Sequence, residues 1–211
     1  WAKDRNQDAL SLLNSLENTP DSMPFYISRA KLNDAFGKND QIEKDLERSI
    51  DYGQESWIAY LYAVQYYQDN KMWKKAGSVS EKAFMKFSDN FNVHVLHAKS
   101  LLYLGKVDEC IDILNNTKVL PSEMGKESRQ LYEWALLEKA IRLIRSNQLT
   151  KARKSIKKSR DWPTNLGIGK PYETDERIQD ILIDYINNPS NSAKYRRYLD
   201  SIAKTSDRYT L

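Results

Sequence analysis

His94, His97 and Cys110 are the side chains whose types could ligate a metal or attack a carbon. The histidines are the only two in the chain and the cysteine is its only one. A zinc site needs three or four convergent ligands held by an ordered outer shell. Residues three apart share one helix face, but the spacing supplies no fourth ligand. The competing reading places both histidines where helices pack and treats Cys110 as a small buried hydrophobe.

Other groups invite similar tests. The stretch "GIGK", Gly167–Lys170, resembles part of a phosphate-binding loop. Such a loop requires G-x-x-x-x-G-K-[ST] after a strand. Here Thr164 stands at the first glycine, Pro171 takes the Ser/Thr place, and a basic helical pattern precedes it. The better reading is punctuation, in which Pro163 stops a helix, Gly167 and Gly169 permit a reversal, and Thr174 or Asp175 caps the next helix. Asp45 with Glu47, and Asp175 with Glu176, are carboxylates that diverge around a helix, as a solvated surface does. Lys151, Lys154 and Lys158 in "KARKSIKKSR" share one face, either a basic patch for an acidic partner or an ordinary solvated face.

The elements that would position these residues follow from composition and period. The chain has 211 residues, 40% hydrophobic and 29% charged, with 33 basic residues against 29 acidic ones. That is a globular composition, and no apolar run reaches the ~18 residues that span a bilayer. One cysteine excludes an internal disulfide and leaves the redox compartment open. The start "WAKDRNQDAL" lacks both an initiator Met and a signal-peptide pattern, so we expect a piece of a longer protein. A soluble chain is expected, with cytoplasm and periplasm equally open.

A 34-residue step runs through the chain. It links Ala30, Val64 and Ala98; Gly37, Lys71 and Gly105; Ile42, Ala76 and Cys110; and Leu46, Ser80 and Leu114. A fourth copy, displaced by 8 residues, places Ala140, Asn147, Ala152 and Ile156 at the same internal intervals. Small residues let two helices cross at ~8–10 Å. Gly37, Gly105 and Asn147 suit a turn with positive φ, and Lys71 departs from that pattern.

With small residues at its eighth and twentieth places and a turn residue at its fifteenth, the unit resembles the tetratricopeptide repeat family. The resemblance implies an all-α fold, a right-handed α-α superhelix of stacked helix pairs, here with a divergent C-terminal capping pair. We read one helical-repeat domain over 1–211. A partial repeat covers 1–20, four repeats cover 23–56, 57–90, 91–124 and 129–163, a loop covers 164–173, and a helix pair covers 174–205.

The resemblance also implies a partner-binding groove lined by the first helix of each unit. In this chain its residues are Leu61, Gln65, Gln68, Val95, Lys99, Leu102, Tyr103, Trp134, Leu137, Ile141 and Arg145. The family's clamp for acidic chain ends, Lys at the fifth place and Asn at the ninth, is absent, since Ile27 and Lys31, Leu61 and Gln65, then Val95 and Lys99 occupy those places. The apolar strip in the third and fourth units should be covered, by the C-terminal helix around Ile178–Ile186 or by a partner. We therefore expect a non-catalytic scaffold without cofactor or metal, binding a protein, a peptide or a neighbouring domain, with no nucleic acid and no membrane insertion. A further resemblance, of "WPTNLGIGKPYETDERIQDILIDY" to the helical tail of large bacterial proteins with a sugar-processing-like β-sandwich domain, implies the alternative of an accessory tail on a carbohydrate-active protein.

Overall fold

The computed structural model describes residues 2–16, 20–37, 41–121, 125–191, 193 and 195–197. Among them every regular element is helical: α1 (Ala2–Ser15), α2 (Met23–Ala35), α3 (Ile42–Tyr52), α4 (Trp57–Asp69), α5 (Trp73–Lys86), α6 (Phe91–Tyr103), α7 (Val107–Asn116), α8 (Gly125–Arg145), α9 (Leu149–Ser159) and α10 (Arg177–Asn187). Most of the second helix expected in the C-terminal pair lies outside the described residues, as do the segments 17–19, 38–40 and 122–124. The chain divides into two compact units, Trp1–Leu104 and Gly105–Leu211.

Within the first unit, α2 packs on α3, and α4 on α5. Each first helix also packs on the pair before it: α4 on α2 and α3, α6 on α4 and α5. In the second unit α8 pairs with α9, and α10 packs on both, the position a further first helix would take.

The small-residue series explains this stacking. Ala30, Val64, Ala98 and Ala140 are all buried, as are Ile42, Ala76, Cys110 and Ala152. Around them in the first unit, Leu46, Ala63 and Tyr67 close one cluster, and Ala59, Tyr60, Ala83 and Val93 a second. In the second unit Leu137, Ala140, Ala152 and Ile156 pack with Leu182 and Ile186 of α10.

The fifteenth place is left-handed in all four units, with φ of 66° at Gly37, 56° at Lys71, 80° at Gly105 and 58° at Asn147. Lys71 thus follows the backbone pattern that its side chain does not favour. Two hydrogen bonds hold it there: the Lys71 N–H donates to the Gln68 carbonyl at 3.1 Å, and the Met72 N–H to the Tyr67 carbonyl at 2.7 Å. Asn147 and Gln148 make the same pair of bonds to Ile144 and Leu143. This is the left-handed helix stop that glycine usually supplies. Lys71→Gly should therefore raise the unfolding free energy by about 0.5–1 kcal/mol, and Lys71→Val should lower it, as urea denaturation would measure.

The turn leading into "GIGK" is an anchor, made by Asn165, Leu166 and Gly167. The Asn165 Nδ2 donates to the carbonyls of Leu114 at 2.9 Å and Thr117 at 2.7 Å, tying down the end of α7. The Val119 N–H donates back to the Asn165 carbonyl at 2.8 Å, and Ser128 Oγ to the Leu166 carbonyl at 3.0 Å. Gly167 has φ of 76°, and a Cβ there would lie 2.8 Å from the Leu120 carbonyl oxygen. Backbone strain and contact act together, so Gly167→Ala should destabilise by about 2 kcal/mol or more in a thermal melt read with calorimetry.

Candidate partner-binding surface

The residues with chemical potential are mostly absorbed by packing. His97 is buried and its Nδ1 lies 2.9 Å from Ser80 Oγ, which itself donates to the Gly77 carbonyl at 3.1 Å. His94 Nε2 donates to the Ser88 carbonyl at 2.7 Å. The Phe84 ring packs against both imidazoles, 4.9 Å from His94 and 5.0 Å from His97. Among the described residues no group of three or more His, Cys, Asp or Glu could hold a metal ion. Burial pushes the Cys110 thiol up to about 12. Cys110 should thus resist aromatic disulfide reagents at pH 8 in the folded protein and react at once in denaturant.

One surface expectation is corrected. Asp45 is fully buried, not solvated, and accepts two bonds from Arg29, Nε to Oδ2 at 2.8 Å and a terminal nitrogen to Oδ1 at 2.6 Å. Glu47 is exposed as expected. Asp175 accepts from Arg177 through both its oxygens and through the Arg177 N–H, which holds its carboxyl below the usual range. In the basic block, Lys151, Lys154 and Lys158 are exposed. Its arginines instead reach α10 and its approach: Arg153 donates to Asn187 Oδ1 at 2.6 Å, and Arg160 pairs with Asp180 at 2.6 Å and Glu176 at 3.3 Å.

The proposed surface residues separate by place. In the first unit the fifth place faces inward, with Ile27 and Val95 buried and Leu61 half-buried. The ninth faces outward: Lys31 and Gln65 are exposed and Lys99 is half-buried. At the twelfth place, Gln68 and Leu102 are buried, and Gln68 Nε2 donates to the Leu96 carbonyl at 3.0 Å and Ser100 Oγ at 2.9 Å. Tyr103 stacks on Trp73 with ring centroids 4.0 Å apart. Between α2 and α4 lies a cavity of about 190 Å³, floored by Ile42 and Leu46 and rimmed by Lys31, Asp34, Gln65 and Asp69.

In the second unit Leu137 is buried, Trp134 and Ile141 are half-buried, and Arg145 is exposed. Leu137, Ile141 and Ile144 pack with Ile178, Leu182, Ile183 and Ile186, so α10 covers this part of the apolar strip.

Comparison with known proteins agrees with the helical-repeat fold. The family model described as anaphase-promoting complex, cyclosome, subunit 3 matches residues 46–117. The solved structure titled "MamA AMB-1 P212121" superposes with a TM-score of 0.51 at 19% identity, covering 74% of this chain and 88% of that one. The fold is of the tetratricopeptide-repeat type. No curated protein matches the sequence. Lys31, Gln65 and Lys99 form the ninth-place row of α2, α4 and α6, exposed or half-buried, while other faces of the same helices carry packing.

Proposed function

We propose that the chain is a non-catalytic scaffold that binds a protein or peptide, or a neighbouring domain of its own polypeptide, through the shared face of α2, α4 and α6. The observation that carries this reading is the cavity between α2 and α4, whose rim is exposed and polar while its floor is apolar. An apolar floor with a few placed polar groups is what a recognition site needs, since burial supplies affinity and the polar rim selects. Gln65 and Lys99 extend the face along α4 and α6. Nucleic acid is a poor fit to this unit, which carries 13 basic residues against 14 acidic ones. Membrane insertion finds no support, because no helix among the described residues is long and apolar enough to cross a bilayer.

Site-specific photo-cross-linking tests the reading. A photoreactive residue at Gln65 should trap a discrete partner in the source cell, and one at exposed Lys82 or Met85 on α5 should not. Equal adducts from both faces, or none from Gln65, would remove the reading.

A further inference from the structure

Resting on that reading, the chemistry of the cavity between α2 and α4 says what kind of side chain enters it. Its volume of about 190 Å³ is below that of a typical small-molecule site, and suits one long side chain of a partner. Tyr62 and Tyr66 wall it, half-buried. One ring already carries a cation: Lys31 Nζ sits 3.6 Å from the centroid of Tyr62. An ammonium is attracted to the negative face of an aromatic ring, so this wall is cation-accepting by demonstration.

The rim adds charge of the matching sign. Asp34 and Asp69 are exposed, and neither carboxylate has an ion pair or hydrogen bond among the described residues. The Tyr66 hydroxyl is pushed up by burial first, then by the Asp34 and Glu43 carboxylates, against an opposing effect of Lys75. Negative potential therefore reaches the wall itself. An acidic guest would meet the Asp34 and Asp69 carboxylates, and the lysine on the rim, Lys31, is already engaged with a ring. An apolar guest would bury those carboxylates against hydrocarbon. A basic guest gains both the aromatic face and the carboxylates.

We infer that this cavity receives a lysine or arginine side chain from an extended partner segment, and that Lys31 occupies the place as an internal competitor until the guest arrives. The competitor makes the idea sharply testable, because Lys31→Met should strengthen binding of a basic guest and weaken binding of an acidic one.

The probe is a nine-residue Gly/Ser peptide with one central Arg, compared with the same peptide carrying citrulline or Glu. Each is titrated to about 10 mM into the full chain with labelled tyrosines, and shifts of Tyr62 and Tyr66 are followed by NMR. The Arg peptide should saturate these shifts and bind at least about fivefold tighter than the other two. Lys31→Met should tighten it about threefold or more, and Asp34→Asn with Asp69→Asn should loosen it about tenfold. Preference for the Glu peptide, weaker Arg-peptide binding in Lys31→Met, or no shift at either tyrosine would overturn the inference. If the cross-links from Gln65 persist in that case, the scaffold reading stands and only the identity of the guest falls.

Discussion

Asp45→Ala is expected to lower the unfolding free energy by about 3–5 kcal/mol, the cost of leaving a buried charge without its counter-ion. The Asp45 side chain is 0% exposed and that of Arg29 11%. The guanidinium also lies 5.0 Å from the Phe25 ring centroid and 5.7 Å from that of Tyr26, and its bonds to Asp45 raise its pKa further. Truncating the carboxylate leaves the largely buried Arg29 guanidinium between these rings without its counter-ion. A domain stabilised by ~5–15 kcal/mol would lose a large part of its margin. The pair itself need not be strongly stabilising, because desolvation offsets attraction. Arg29→Met with Asp45→Leu should therefore recover most of the loss. Urea unfolding of the three variants measures this. A loss under about 1 kcal/mol in Asp45→Ala would show that the pair is solvated in solution.

Ala98→Arg should destabilise by about 3 kcal/mol or more, because Ala98 is 0% exposed on α6, which packs against both α4 and α5. A long cation there must force the helices apart or lose its hydration. The matched control is Lys154→Ala, an exposed change on α9 that should shift stability by under ~0.5 kcal/mol. Thermal melts of the two compare a site where bulk is forbidden with one where charge is idle. Equal melting temperatures would mean that the repeat register is wrong.

The repeat was legible because its constraints recur. A crossing needs a small residue and a tight turn needs positive φ wherever the unit is repeated. Lys71 therefore adopts φ of 56° although its type argued against the turn. Contacts that occur once were not legible. The partnership of Arg29 with Asp45 joins residues 16 apart on different helices, and no period marks it. Gln68 was assigned to the open face by place number, yet its amide turns inward to the Leu96 carbonyl and Ser100. Asn165 ties down α7 from a loop about 50 residues later, in a segment where sequence showed only punctuation. The apolar strip expected in the third and fourth repeats needs a cover, and α10 provides one for the part on α8 because its own apolar stripe, Ile178, Leu182 and Ile186, has the matching helical spacing.

In α2, α4 and α6 adjacent residues face opposite ways, the eighth place into the stack and the ninth toward the surface. Single cysteines at Ala30 and Lys31, Val64 and Gln65, or Ala98 and Lys99, each in a Cys110→Ala background, measure this through thiol-labelling rates under native conditions. Ninth-place thiols should react faster than their eighth-place neighbours by about a hundredfold or more, since the latter need an opening of the fold. Comparable rates within the three pairs would contradict the stacked-hairpin geometry and the surface built on it.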